Sequence, residues 1–176
     1  MNKVRTALVI GGGIGGPVAA MALRKAGIEA TVYEAYNDVA SGVGGALSLA
    51  PNGVNALAVL GLDAPLREIG EPIEAMEMRN WKDRRLGRFG SPAGLPPQRF
   101  VWRPKVYQLL YENALESGVH IEHGKRFTGL DQSPDGVTAR FADGSTASAD
   151  ILVGADGIRS TVRAAIDPRA PQPRYV

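Results

Sequence analysis

A glycine-rich stretch near the start of the sequence, Gly11 to Gly16, lies between an apolar run and a segment with helical periodicity. The apolar run, Ala7 to Ile10, has no polar position, which is typical of a parallel strand buried on both faces. Residues 17–26 follow as a predicted helix, and Pro17 lies in its first turn, where a missing amide hydrogen costs little. Residues 30–34 form the second predicted strand, so the segment is a strand–helix–strand unit, normally with a right-handed crossover.

The glycines of this turn match the pattern G-x-G-x-x-G, which predicts a pyrophosphate-binding turn when it joins a strand to a helix. Gly11 permits the tight turn, Gly13 lets the backbone approach a diphosphate, and Gly16 lets the helix pack on the strand. The amides that open the helix, together with the helix dipole, favour a doubly negative diphosphate. Glycine-rich turns also serve purely structural roles, so the pattern alone is a weak indication.

Glu34 ends the second predicted strand, where a carboxylate accepts hydrogen bonds from the ribose hydroxyls of a bound dinucleotide. The alternative is an ordinary solvated glutamate, but the order of strand, glycines, helix and strand before it favours the ribose interpretation. The same carboxylate repels a 2′-phosphate, so FAD and NAD fit this site and NADP does not. These residues alone do not separate FAD from NAD.

Composition and charge narrow the classes of function. Hydrophobic residues make up 44% and charged residues 22% of the chain, which is ordinary for a globular protein, and a net charge of +2 is too small to indicate nucleic acid. The absence of cysteine excludes disulfides and thiolate metal sites, and His120 and His123 have no further metal ligand nearby in sequence. No apolar run is long enough for a membrane span and the start lacks the regions of a signal peptide. We therefore expect a soluble, cytoplasmic protein with no metal, nucleic-acid or membrane partner.

Beyond Glu34, the pattern predicts a loop and strand over residues 41–50 and a short helix over 52–60. Residues 72–98 have a different character and predict an antiparallel hairpin followed by a Pro/Gly-rich loop. A strand ending at Arg103 and a helix starting at Pro104 come next. Further short strands are predicted at 119–122, 127–130, 137–141 and 151–153, with a last helix near Ser160.

Several stretches, in this order along the chain, together resemble the class A FAD-dependent aromatic-ring monooxygenases, the para-hydroxybenzoate hydroxylase family. They are the glycine turn with Glu34, Gly44 to Leu49, Pro51 to Val54, Trp102-Arg103 before a helix, and Asp150 to Arg163, which is similar to the "DG" motif of that family. The resemblance runs through nearly the whole chain, and the family's second flavin motif, Gly-Asp, would come after Val176. The sequence is therefore similar to the N-terminal portion of such an enzyme.

The resemblance implies an α/β fold: a Rossmann-like FAD-binding domain with a parallel sheet, plus a small antiparallel excursion from a second, substrate domain. Residues 1–71 and 99–170 would form the FAD-binding domain, which is incomplete. Residues 72–98 would be the first segment of the substrate-domain sheet, and residues 171–176 would start a second, truncated segment.

The resemblance also implies which residues bind the cofactor. Arg103 would reach the ribityl or phosphate region, the backbone of Phe127 would meet the adenine, and Asp156 is associated with both FAD and the nicotinamide cofactor. Gly45 and Ala46 would lie near the isoalloxazine ring. The full predicted set is Gly11, Gly13, Ile14, Gly15, Gly16, Glu34, Ala35, Gly45, Ala46, Arg103, Phe127 and Asp156.

Most of these residues also have a purely structural interpretation. Arg103 suits a weak surface ion pair, Phe127 a core side chain in a strand, and Asp156 a carboxylate near the start of the last helix. Gly45 suits a simple glycine-rich loop. Ala35 is a departure, because the family usually has Arg or Lys directly after the ribose-binding glutamate.

By resemblance, the whole protein would be an NAD(P)H-dependent monooxygenase that hydroxylates an aromatic or polyketide-like small molecule with dioxygen, through a flavin hydroperoxide. NADH and NADPH both stay open as electron donors, and no catalytic side chain is assigned because the flavin carries the chemistry. The alternatives are a flavin-dependent halogenase or reductase that shares this domain, and an inactive, truncated module that binds dinucleotides weakly. We expect this chain alone to bind FAD poorly, since the Gly-Asp motif would close over the pyrophosphate.

Overall fold

The computed structural model describes residues 4–38 and 44–174, and the chain divides into two compact units. The first unit comprises Met1–Ala40 and Leu110–Val176, and the second comprises Ser41–Leu109. The predicted loop at residues 41–43 and the predicted strand opening at Tyr175 and Val176 lie outside the described residues.

Short strands and short helices make up the described part of the chain. The strands are β1 (Thr6–Ile10), β2 (Glu29–Tyr33), β3 (Ala46–Leu49), β4 (Gly70–Ile73), β5 (Ala75–Arg79), β6 (Arg85–Gly90), β7 (Gln98–Trp102), β8 (His120–Glu122), β9 (Phe127–Ser133), β10 (Gly136–Phe141), β11 (Thr146–Ala149) and β12 (Ile151–Gly154). The helices are α1 (Gly15–Lys25), α2 (Pro51–Ala58), α3 (Asp63–Ile69), α4 (Arg103–Glu116) and α5 (Thr161–Ile166).

The first unit is built on a four-stranded parallel sheet in the order β12-β1-β2-β8. Strand β1 has a neighbour on both sides, and its residues Leu8, Val9 and Ile10 are 4% exposed or less. An apolar strand suits this position because side chains on both of its faces leave water. Helix α1 connects β1 to β2 and begins at Gly15, two residues before the predicted start. The predicted strand–helix–strand unit and the predicted α/β fold are confirmed.

A three-stranded antiparallel sheet in the order β11-β10-β9 belongs to the same unit. The rings of Tyr33 and Phe141 stack with their centroids 4.8 Å apart, and Phe127 lies in the same core cluster. Burial, and the nearby Glu122 carboxylate, raise the pKa of the Tyr33 hydroxyl. This cluster packs the end of β2 against the antiparallel sheet, and the loop after β2 therefore begins at a well-packed residue.

The second unit contains an antiparallel sheet in the order β3-β7-β4, with α2 and α3 beside it. Leu66 and Val101 are 0% and 1% exposed in its core. Arg99 of β7 is also buried, and its guanidinium donates hydrogen bonds to the carbonyl oxygens of Arg67 and Gly70. These bonds compensate for the cost of burying a charged group.

The predicted hairpin within residues 72–98 is formed by β5 and β6. Met76 lies opposite Phe89 and Met78 opposite Gly87, so Met76, Met78 and Phe89 share one face of the ribbon. Met76, Met78 and Phe89 are all more than half exposed. The assignment of this hairpin to a substrate domain stays a prediction, as do the predicted domain bounds at residues 71, 98 and 170.

The structure differs from the sequence-based prediction at several elements. Arg103 opens α4 instead of ending a strand, and Pro104 then occupies the first turn, where proline is tolerated. Strand β4 contains Pro72, and a proline in a sequence argues against predicting a strand there. Strand β11 consists of small residues and has no large apolar side chain that would indicate a strand. Neither β4 nor β11 was predicted, nor was the short helix α3, and all three depend on tertiary pairing or packing.

Candidate functional site

The glycine turn follows the carboxyl end of β1, and its glycines are required for different reasons. Gly11 has a φ of 108°, and a Cβ added there would lie 2.5 Å from the carbonyl oxygen of Ala155. A Cβ added at Gly16 would collide with the carbonyl oxygen of Gly11. Backbone packing inside the protein therefore accounts for these two glycines without any ligand.

Gly13 is different, because no described protein atom other than those of Gly13 itself and its two chain neighbours lies within 4 Å of the position that its Cβ would take. Helix α1 begins directly after it, with Ile14 as N-cap, no side-chain capping hydrogen bond and no acidic residue in the first turn. The first amides of a helix have no partner within the helix and carry its positive dipole end. The open space at Gly13, beside the first amides of α1, therefore fits a diphosphate that approaches closely.

The Glu34 carboxylate is held beside this turn by two backbone amides. Its Oε2 accepts a hydrogen bond from the Gly12 amide at 2.6 Å, and its Oε1 accepts one from the Tyr36 amide at 3.0 Å. A carboxylate has about four lone-pair sites, so two amide donors leave capacity for the hydroxyls of a ribose. The structure brings Glu34 and the glycine turn together, as the sequence predicted.

Gly12 is a residue that the sequence analysis did not single out. A Cβ at Gly12 would lie 2.9 Å from the Cβ of Glu34, so a larger residue would displace the glutamate. The sequence signal for Gly12 was the run of three consecutive glycines from Gly11 to Gly13. The pattern G-x-G-x-x-G requires glycine at positions 11 and 13 of this run but allows any residue at position 12. Gly12 orients the carboxylate through its amide.

The DG segment lies next to the glycine turn, because β12 pairs with β1 in parallel. The amide of Ala155 donates to the carbonyl of Ile10 at 2.7 Å. The Asp156 carboxylate caps α5: Oδ2 accepts from the amides of Thr161 at 2.7 Å and Val162 at 3.1 Å, and Oδ1 accepts from the Ser160 hydroxyl. Asp156 therefore has the structural role that the sequence left open, and its contact with a cofactor stays a prediction.

Gly45, Ala46 and Arg103 lie together in the second unit. Strand β3 pairs with β7 so that Ala46 is opposite Trp102, and the Arg103 amide donates to the Gly45 carbonyl at 2.9 Å. A Cβ at Gly44, where φ is 115°, would lie 3.0 Å from Cδ of Arg103. Gly44 thus lets the chain before β3 approach the arginine side chain closely.

Comparison with known proteins distinguishes between FAD and NAD as the dinucleotide for this turn. The profile of the FAD-binding domain family matches residues 4–175. This chain belongs to the FAD-binding domain family. The FAD-dependent urate hydroxylase of Klebsiella pneumoniae is 39% identical over 175 residues, which are 96% of this chain and 44% of that enzyme. The 3-amino-4-hydroxybenzoate 2-monooxygenase PtmB3 of Streptomyces platensis is 39% identical over 173 residues, 92% of this chain and 41% of that enzyme.

A solved structure agrees with these relatives. The crystal structure of Klebsiella pneumoniae HpxO complexed with FAD and uric acid has a TM-score of 0.76 and 33% identity, over 91% of this chain and 41% of that chain. The predicted resemblance to class A FAD-dependent aromatic monooxygenases is confirmed, and so is the choice of FAD as cofactor. This FAD-binding domain spans less than half the length of the relatives it matches.

Two predicted residues of this FAD-binding domain lie beyond the turn. Ala35 follows Glu34 in the bend after β2, and the Phe127 side chain is 7% exposed in the core cluster with Tyr33 and Phe141. The core interpretation of the Phe127 side chain is therefore correct. A contact between its backbone and adenine stays a prediction.

The two histidines of the FAD-binding domain have protein partners. His120 Nε2 lies 3.7 Å from the Glu122 carboxylate, while His123 is within hydrogen-bond distance of Tyr111 and of the Tyr36 carbonyl. Across residues 4–38 and 44–174, no group of three or more His, Asp or Glu side chains is arranged to hold a metal ion. Over the same residues, no helix combines the length and apolar character that crossing a bilayer requires.

Proposed function

We propose that this chain is the FAD-binding portion of an NAD(P)H-dependent monooxygenase that hydroxylates an aromatic small molecule in the cytoplasm. The observation that carries the proposal is the open backbone at Gly13 beside the Glu34 carboxylate. Apart from its chain neighbours, none of the described residues places an atom within 4 Å of a Cβ at Gly13, and a dinucleotide needs both such a close backbone approach and a ribose acceptor. Belonging to the FAD-binding domain family supports the same conclusion.

Each part of the site would hold a different part of FAD. The amides from Gly13 to Gly16 would bind the diphosphate, and Glu34 would accept hydrogen bonds from the adenosine ribose. By resemblance, Gly45, Ala46 and Arg103 would serve the flavin half. Bound FAD would supply the redox chemistry that uses dioxygen, and the protein would orient it and exclude water.

The relatives indicate the class of substrate. Their names describe hydroxylation of urate and of 3-amino-4-hydroxybenzoate, both small, planar, electron-rich aromatic rings. We propose a substrate of this class. Because Glu34 repels a 2′-phosphate at the FAD site, NADPH would have to react from a different position, and both nicotinamide donors stay candidates.

The test uses the longer protein of which we propose this chain to be a portion. That protein is titrated with FAD, and NADH and NADPH oxidation is then followed with and without urate and 3-amino-4-hydroxybenzoate. We expect a protein-bound flavin spectrum, oxidation stimulated by an aromatic substrate, and a product heavier by one oxygen atom. Bound FAD without stimulated oxidation would limit the chain to a cofactor-binding module. A protein that binds no FAD would contradict the proposal.

A further inference from the structure

We propose that Tyr36 and Arg126 form the adenine-binding platform of this domain, with the Arg126 guanidinium stacked between the Tyr36 ring and the adenine base. The inference rests on the proposed FAD function and deepens it, because it assigns the recognition of the base to two side chains outside the glycine turn. It also assigns a role to a pair that the sequence analysis did not single out.

The first observation is the contact between the two side chains. The Arg126 Cζ lies 5.4 Å from the centroid of the Tyr36 ring, within the range of a cation–π interaction. Tyr36 is 67% exposed and Arg126 is exposed as well, so the pair stands at the surface and not in the core. A planar guanidinium has two faces, and one that lies over a tyrosine can stack a second ring on its other face.

The second observation is that the backbone of Tyr36 is fixed on both sides. Its amide donates to Glu34 Oε1 at 3.0 Å, and its carbonyl accepts from the Gly124 amide at 3.1 Å and from His123 Nδ1 at 3.2 Å. The Tyr111 hydroxyl lies 3.1 Å from His123 Nε2, which holds the imidazole in turn. Because the backbone that carries this ring is already held, stacking of a ligand requires little further ordering of the chain at residue 36.

The third observation is the position of the pair relative to the ribose acceptor. The carboxylate that would bind the ribose also binds the Tyr36 amide, and the Lys125 amide donates to the Glu34 carbonyl at 2.7 Å. Residues 36 and 126 therefore flank Glu34 from two separate chain segments. Because the base is bonded directly to the ribose, side chains that flank the ribose acceptor are the ones within reach of adenine.

The charges around Glu34 favour Arg126 as the stacking cation. Ala35, directly after Glu34, has no charged side chain. The ammonium of the neighbouring Lys125 is held 2.8 Å from the Asp143 carboxylate and 2.8 Å from the Ser145 hydroxyl. Arg126, in contrast, is exposed and places its guanidinium over the Tyr36 ring.

The experiment measures binding of ADP, FAD and ribose 5-phosphate to the full chain and to single variants by NMR titration. Ribose 5-phosphate keeps the sugar and a phosphate but has no base. The variants are Arg126→Ala, Arg126→Lys and Tyr36→Ala, with Tyr36→Phe as the variant that keeps the ring. Arg169→Ala is the matched charge control, because it removes an arginine whose side chain is 95% exposed.

We expect Arg126→Ala and Tyr36→Ala to weaken ADP and FAD binding about fivefold or more and to leave ribose 5-phosphate unchanged. Arg126→Lys should not restore binding, because an ammonium lacks the planar face, whereas Tyr36→Phe and Arg169→Ala should bind like wild type. Unchanged ADP binding in Arg126→Ala, or equal weakening of ADP and ribose 5-phosphate, would overturn the inference. A wild-type chain that binds neither ADP nor FAD would instead refute the proposed function.

Discussion

Most glycines of the turn are required by contacts within the protein, whereas the glycine at position 13 is required only if a ligand binds there. Gly11 and Gly16 face backbone atoms at distances that no Cβ tolerates, and Gly12 faces the side chain of Glu34. Gly13 faces open space. Substitution of Gly11 or Gly16 should therefore lower mainly the stability of the fold, whereas substitution of Gly13 should weaken mainly the binding of the cofactor.

Gly16→Ala should destabilise the fold by about 3 kcal/mol, because its Cβ would force α1 away from the Gly11 carbonyl. Gly13→Ala should leave the melting temperature unchanged and weaken FAD binding about tenfold, since the methyl group occupies the diphosphate approach. Thermal unfolding and FAD titration of both variants provide the measurement. Equal FAD affinity in wild type and Gly13→Ala would show that the space at Gly13 serves no ligand.

Asp150 gives a pH-dependent prediction. Its Oδ2 accepts hydrogen bonds from the amides of Arg5 at 2.7 Å and Thr6 at 2.8 Å, and these bonds lower the pKa of the Asp150 carboxyl. A carboxylate with a lowered folded-state pKa stabilises the fold above its unfolded pKa of about 4 and loses that effect as the pH falls through the folded value.

Asp150→Asn should therefore lower the melting temperature near neutral pH, and the difference from wild type should shrink as the pH falls below about 4. Unfolding curves of the two proteins across this range test the prediction. The exposed Asp135→Asn serves as a control that should change little at any pH. A difference that stays constant with pH would contradict the assigned role of the carboxylate.

For single residues, the sequence predicted where a site residue lies in the fold better than it predicted which other residues that residue contacts. Glu34 was assigned from its place at the end of the second strand, and the structure brings it to the glycine turn. The bond from Glu34 to Gly12, and the contact between Arg126 and Tyr36, join segments that only the folded chain brings together. No local pattern encodes them.

Among the secondary-structure elements, those with a strong apolar pattern were predictable and those held by pairing were not. Strand β1 follows from its continuous apolar run, helix α1 from its helical periodicity, and the β5–β6 hairpin from its alternation. Strand β11 has only Thr, Ala and Ser, and it exists because its backbone pairs with β10. The start of α4 at Arg103 likewise depends on the strand pairing before it.

Helix α5 has six residues, so its capping network decides whether it forms. The Ser160 hydroxyl accepts from the Arg163 amide at 2.9 Å, while the Asp156 carboxylate accepts from Thr161 and Val162. Ser160→Ala should cost about 1 kcal/mol and Asp156→Ala about 2 kcal/mol, because the aspartate caps two amides. Hydrogen exchange of the amides at residues 161–163 should accelerate in the same order.

The same two variants test whether Asp156 also contacts the cofactor. If it does, Asp156→Ala should weaken FAD binding clearly more than Ser160→Ala, although both loosen α5. Equal FAD affinities for the two variants would mean that Asp156 acts only by positioning the turn before the helix.

At the scale of the whole molecule, the sequence motifs in their order predicted the α/β fold and the FAD-binding domain family, and both are confirmed. The choice between FAD and NAD did not follow from the glycine turn and Glu34, because those residues meet the shared adenosine diphosphate. It followed from the ordered resemblance along the chain and then from the relatives. The domain bounds and the flavin-side contacts of Gly45, Ala46 and Arg103 stay predictions.

A crystal structure of this protein with FAD bound tests the central claim most directly. We predict that the diphosphate lies within hydrogen-bond distance of the amides from Gly13 to Gly16 and that a ribose hydroxyl donates to Glu34. FAD bound elsewhere, or a Glu34 carboxylate with no contact to the ribose, would contradict the account.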